Sequence, residues 1–267
     1  MLLDITPTGK DTKRTVLLEK SSMVRNLFVG LSLLSFAVAA YIGWICSSKP
    51  GTGTERNHEM EKNIAMIVSP GAEGTSQGTA FLLAKYDGTP SGYLLTARHV
   101  IDNNRINGTV TLMFPNLFDE RDEPITTTAS IKWTTDIPFD HNNSGTLTFD
   151  VALLKLDNPS ILPEDITGFT VANEMEVKQP IAIFGFPQSE AFYTNGVVSN
   201  TEYEGNNNLM VMSFLLDHGI SGAPVYSEET GDVLGIAVAG NGKLANIALK
   251  ITRVINLIER DNLKILE

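Results

Sequence analysis

Ten short apolar runs follow one another between residues 64 and 238, and they constrain the fold more than anything else in the chain. They span 64–68, 79–83, 93–96, 110–114, 131–133, 151–156, 181–185, 209–214, 223–226 and 233–238. Each is strand-length, rich in Val, Ile, Leu and Phe, and too short for a stable helix. Turn signals lie between or beside them: Asp87-Gly88, Ser91-Gly92, Asn107-Gly108 and Asn241-Gly242. No helical stretches alternate with these runs, as a parallel α/β sheet would require. The 22 glycines and 12 prolines, spread along the chain, fit an all-β fold with many turns. One helix is expected at the end, where Ile251, Val254, Ile255 and Ile258 recur at i, i+3, i+4, i+7. No internal repeat is visible.

The first 62 residues read differently. Residues 27–46, LFVGLSLLSFAVAAYIGWIC, form a twenty-residue stretch with no charge. As a helix it would rise about 30 Å, the depth of a bilayer's hydrocarbon core. Soluble helices keep a polar face, and this run has none. Tyr41 and Trp44 suit an interfacial aromatic belt. Ala37-Val38-Ala39 offers a small-x-small cleavage site, so release after signal cleavage is the alternative. The long leader before the span and the apolar residues beyond the site favour a retained signal anchor. Five bases (Lys10, Lys13, Arg14, Lys20, Arg25) precede the span, and three (Lys49, Arg56, Lys62) follow within twenty residues. That bias places segment 1–26 in the cytoplasm. After the 47–62 linker, with Pro50 and two glycines, the 63–267 domain is expected outside, in the periplasm of an inner-membrane protein.

Beyond the first 46 residues, 15 bases stand against 28 acids. Such a domain repels phosphate backbones, which argues against nucleic acid as a partner. The only cysteine, Cys46, cannot form an internal disulfide, so the fold rests on its core. No group of His, Cys and carboxylates has ligand-like spacing, so neither a metal nor an organic cofactor is implied.

A serine hydroxyl becomes a nucleophile when a base removes its proton and a third group fixes that base's tautomer. Ser221 stands in Asp-His-Gly-Ile-Ser-Gly-Ala-Pro, residues 217–224, flanked by Gly219 and Gly222. Those glycines let the chain turn sharply and gather N–H groups toward one point. His58 lies in the linker and His141 in a polar loop, so both read as solvated. His218, three residues from Ser221, competes as base, but on that loop it would face substrate rather than its own serine. His99 follows a strand in Tyr-Leu-Leu-Thr-Ala-Arg-His-Val-Ile, where a buried imidazole needs a partner. Asp150 opens the apolar run Asp-Val-Ala-Leu-Leu-Lys-Leu and needs one too. Taken singly, each could be an ordinary structural residue; together they form a His…Asp…Ser set.

Gly78-Thr79-Ala80-Phe81, Leu94-Leu95-Thr96-Ala97-Arg98-His99, Asp150-Val151-Ala152-Leu153-Leu154 and Gly219-Ile220-Ser221-Gly222-Ala223-Pro224 together resemble the chymotrypsin/trypsin superfamily. Phe184-Gly185-Phe186-Pro187 and Gly196-Val197-Val198-Ser199 are similar to its bacterial trypsin-like and HtrA-type branch. The resemblance covers residues 63–257. It implies two six-stranded antiparallel barrels with a cleft between them. His99 and Asp150 would come from the first barrel and Ser221 from the second. The N–H groups of Gly219 and Ser221 would form an oxyanion hole, and Val238, Ala239 and Gly240 would pair with a polypeptide substrate. The specificity pocket would have its base near Leu215. Ile220 stands where secreted trypsins carry an aspartate that pairs with a newly cut N-terminus, so activation of that kind is not expected. No PDZ domain is expected in the ten residues after Leu257. The rival expectation is a catalytically inactive module of the same fold that binds peptides. An esterase on another fold is disfavoured because Ala223 breaks the G-x-S-x-G pattern.

Overall fold

Strands buried on one face alternate apolar and polar residues, whereas strands buried on both faces read as continuous apolar runs. Both kinds occur here, and they show where the molecule is thickest. The computed structural model describes residues 59–267 apart from 72–73, 102–107, 136, 138–143, 215, 217–218 and 241–245. The apolar run 27–46 lies outside the described residues. Among those described, no helix is long and apolar enough to cross a membrane.

The first barrel is built from β1 (Ile64–Gly71), β2 (Gly74–Ala84), β3 (Pro90–Thr96), β4 (Thr109–Phe118), β5 (Pro124–Thr134) and β6 (Ala152–Leu156). A short helix, α1 (Ser144–Leu147), precedes β6. The sheet closes in the order β1-β2-β3-β6-β5-β4, with every pair antiparallel. The second barrel comprises β7 (Pro180–Gly185), β8 (Phe192–Asn200), β9 (Leu209–Met212), β10 (Pro224–Ser227), β11 (Val233–Gly240) and β12 (Asn246–Lys250). It closes as β7-β8-β9-β12-β11-β10.

Each of the ten expected runs coincides with a strand, although 151–156, 209–214 and 223–226 overrun theirs by one or two residues. Ser91-Gly92, expected as a turn, lies inside β3 instead. Gly92 holds φ at +72° within the strand, and the Ser91 hydroxyl accepts from the Tyr93 N–H at 3.0 Å. A local bend that normally ends a strand is thus absorbed near a register shift in the β2–β3 pairing.

Three apolar clusters hold the fold together. Ala80, Leu82, Leu94, Leu112, Ile131 and Leu154 fill the first barrel, while Ile183, Val198, Met210, Ile220, Val225 and Leu234 fill the second. A third cluster joins them through Phe81, Leu95, Leu153, Phe169, Phe184 and Tyr226. In β6, Ala152 and Leu154 face the barrel interior and Leu153 faces the seam, so residues 151–154 read as an unbroken apolar run before Lys155. By contrast, β4 faces solvent on one side and alternates. Phe169, on the chain crossing between barrels, packs against Phe81 with ring centroids 5.7 Å apart and against Tyr226 at 5.6 Å.

The expected helix is present as α2 (Ile251–Arg260), with Ile251, Val254, Ile255, Leu257 and Ile258 buried. Beyond it the chain returns to the first barrel. The Trp133 indole N–H donates to Asp261 Oδ2 at 2.6 Å, and the Tyr86 N–H donates to the Leu266 carbonyl at 3.0 Å.

Candidate active site

Antiparallel pairing puts the end of one strand beside the start of its partner. Thr96, the last residue of β3, pairs with Ala152, the first of β6. His99, three residues past β3 on the 3₁₀ turn Arg98–Ile101, therefore emerges beside Asp150, two residues ahead of β6. His99 Nδ1 lies 2.7 Å from Asp150 Oδ2, and the His99 main-chain N–H donates to Asp150 Oδ1 at 2.9 Å. One carboxylate thus grips the histidine at ring and backbone. A carboxylate accepts and does not donate, so this pairing assigns the proton to Nδ1.

The aspartate is itself held firmly. Its side chain is fully buried, against 23% exposure for that of His99. The Thr135 hydroxyl donates to the Phe149 carbonyl at 2.7 Å, and that of Thr134 to the Val151 carbonyl at 3.4 Å. Two adjacent threonines at the end of β5 therefore anchor both neighbours of Asp150.

Ser221 lies in the turn leading into β10, and there the backbone explains the glycines. Gly219 has φ +95° and Gly222 φ +87°, a region that residues with a Cβ rarely adopt. A Cβ on Gly222 would overlap the Thr79 carbonyl oxygen and stand 2.8 Å from the Ala97 nitrogen. One on Gly219 would stand 2.5 Å from the Phe186 carbonyl oxygen. The turn is thus pressed against the first barrel two residues before His99, at a distance only glycine permits. Ile220 between them is fully buried in the second barrel's core.

The remaining expected residues fall unevenly. Val238 is buried at the seam. Val238, Ala239 and Gly240 end β11, with a register shift in its β12 pairing between Ala237 and Ala239. The β10–β11 pairing stops at Pro224↔Ile236, and the Gly222 N–H donates to the Ala237 carbonyl at 2.8 Å. Among the described residues, the segment from the serine turn into β10 therefore meets β11 no further than Ala237. Leu215, and with it His218 and Asp217, lies outside the described residues.

Sequence reading assigned no role to Thr79, Thr96 or Asn246. The Leu216 N–H donates to Asn246 Oδ1 at 3.0 Å, fixing the chain just ahead of the serine turn. Gly78-Thr79-Ala80-Phe81 was the available signal for Thr79, but its partners are remote in sequence.

Two antiparallel barrels, with a paired His and Asp on one and a glycine-flanked serine on the other, define the architecture of trypsin-like peptidases. The chain belongs to that family: the trypsin-like peptidase domain model matches residues 78–236. No curated protein matches the chain in sequence. Among solved structures it is similar to an inactive form of Rv3671c from M. tuberculosis H37Rv, with 14% identity and a TM-score of 0.55 over 78% of this chain and 92% of the other. It is also similar to the serine endoprotease from Yersinia pestis, with 15% identity and a TM-score of 0.56 over 80% and 67%. At these identities the two structures speak for the fold.

Proposed function

We propose that the chain is a membrane-anchored serine endopeptidase, with His99, Asp150 and Ser221 as its triad. The observation carrying this reading is the two-point grip of buried Asp150 on His99, at the seam where the Gly219–Gly222 turn presents Ser221. Gripping both ring and backbone fixes tautomer and orientation, which is what a general base requires.

In this reading His99 Nε2 takes the proton from Ser221 Oγ as the oxygen bonds to a peptide carbonyl carbon. The N–H groups of Gly219 and Ser221 receive the resulting oxyanion. His99 then gives its proton to the amine nitrogen, the C–N bond breaks, and an acyl-enzyme remains. Water, deprotonated by His99, attacks the acyl carbon and releases the acid. Because the segment from the serine turn into β10 pairs with β11 no further than Ala237 among the described residues, an extended substrate can add as a strand along Val238, Ala239 and Gly240. The specificity pocket has its base near Leu215, which favours small or medium apolar side chains before the scissile bond.

Segments 1–26, 27–46 and 47–62 serve as cytoplasmic leader, membrane anchor and linker, and 63–267 works outside the cytoplasm. The rival reading is an inactive peptide-binding module of the same fold, and the two hydrogen bonds between buried Asp150 and His99 favour the enzyme. Labelling with a membrane-impermeant fluorophosphonate tests both parts of the proposal. Spheroplasts carrying the wild-type chain should be labelled, and those carrying Ser221→Ala should not. Label appearing only after lysis would reverse the orientation, and none in either state would favour the binding module.

A further inference from the structure

An oxyanion hole works only if its N–H donors are aimed before the charge arrives. In this chain the residue at position 220 is a buried isoleucine, so no ion pair can hold the serine turn from that position. Something else must fix the turn, and the hydrogen bonds identify it.

Thr79, on β2 of the first barrel, is fully buried and reaches three distant segments. Its hydroxyl donates to the Gly219 carbonyl at 2.9 Å and accepts from the Phe186 N–H at 3.2 Å. Its own N–H donates to the Ser221 carbonyl at 2.9 Å. Its carbonyl accepts from the Thr96 hydroxyl at 2.7 Å, which ties the arrangement to the end of β3 just before His99. The peptide that carries the Ser221 N–H lies between the two whose carbonyls Thr79 binds. The carbonyl of that middle peptide accepts from the Ala223 N–H at 2.9 Å. Three successive peptide planes are thus fixed, two of them by one residue.

We infer that Thr79 is a positioning residue for the serine turn: a neutral clamp from the first barrel that presets the Ser221 N–H, an oxyanion donor of the second. It touches no reacting atom. Its hydroxyl is used fully, as donor to one side and acceptor from the other. Replacing it with a methyl group strands the Gly219 carbonyl and the Phe186 N–H together, and stranded buried groups move to find partners. The inference rests on the serine-peptidase reading for its catalytic consequence, but not for its structural one.

The test compares full-length wild type with Thr79→Val, which keeps the shape without the hydroxyl, and Thr79→Ser, which keeps the hydroxyl. With active sites titrated, Thr79→Val should lose about 10- to 100-fold in kcat, less than the effect of deleting a direct oxyanion donor, with KM within about twofold. Thr79→Ser should recover most of that loss. In parallel, amide hydrogen exchange in a 216–224 peptide should accelerate in Thr79→Val and not in Thr79→Ser. If valine prevents folding, Thr79→Ala removes the hydroxyl without overpacking and takes its place. Unchanged exchange in the hydroxyl-less variant overturns the inference whether or not the wild type is active. Wild-type kcat in that variant, or equal damage from serine, overturns it as well. Faster exchange alongside an inactive wild type would leave the clamp standing and sink the peptidase reading instead.

Discussion

The two barrels close their strands in the same order, yet they bring different things to the seam between them. The first delivers side chains: His99 and Asp150, joined at 2.7 Å, with Thr134 and Thr135 holding the aspartate's neighbours. The second delivers Ser221 on a backbone turn at positive φ, and the turn's peptides are what the hydrogen bonds fix. Side-chain sites are sensitive to chemistry even where a substitution keeps the shape and the fold. Backbone sites are sensitive to shape and tolerate no added atom. The seam should therefore respond to mutation in two distinct ways.

The largest effect is expected on the side-chain half. Asp150→Asn conserves volume and still accepts from the His99 N–H through its amide oxygen. Its amide nitrogen then faces His99 Nδ1, so the ring must carry its proton on Nε2 and can no longer act as base. By the behaviour of such triads, kcat should fall about 10⁴-fold with the far-UV circular dichroism spectrum unchanged. A loss below tenfold would mean that Asp150 is structural and that the first barrel contributes no chemistry.

A smaller loss is expected on the backbone half. Gly222→Ala adds one carbon where the Thr79 carbonyl and Ala97 nitrogen already stand, at a φ of +87°. The turn must shift, and with it the Ser221 N–H. Losing one aligned oxyanion donor costs about 10² to 10³ in kcat, and the strain lowers Tm as well. Asp150→Asn should leave Tm nearly unmoved, so the ratio of activity loss to Tm loss separates the two barrels. Equal ratios would erase the distinction.

The same division explains what the sequence made legible. Residues that need particular side chains announced themselves: His99 and Asp150 were costly to bury without partners, and Ser221 sat between glycines. Strands with at least one buried face were readable for the same reason. Phe192–Asn200 escaped notice as a strand because it is largely exposed, with only Val198 buried, and so carries no apolar run. Asn246–Lys250 was hidden by its length of five residues and by the helix that follows without a break. Thr79 could not be assigned because its contact with Gly219 spans 140 residues and involves a carbonyl, a group every residue has. The matching strand orders were equally invisible. Pairing order leaves no periodic trace when the side chains on the two barrels differ.

The smallest effect concerns selectivity, and it asks whether the second barrel contributes only neutral surfaces. The resemblance implies that the pocket for the residue before the scissile bond would have its base near Leu215 and Gly240 on its wall. Asn246, cross-strand from both Gly240 and Met212, accepts from the Leu216 N–H and is neutral too. Burying an arginine or lysine head in such surroundings without a counter-charge costs several kcal/mol, so cationic side chains should be disfavoured. Apolar side chains differing by one methylene are separated by only about 1–3 kcal/mol, which gives preferences of roughly 10- to 200-fold. A peptide library varied at that one position should therefore show a broad optimum among alanine, valine and leucine. A strong preference for arginine or lysine would require a carboxylate in the pocket, and Asp217 is the acid nearest Leu215 in sequence. That outcome would place a working charge on the second barrel, and the division of labour between the barrels would fail there first.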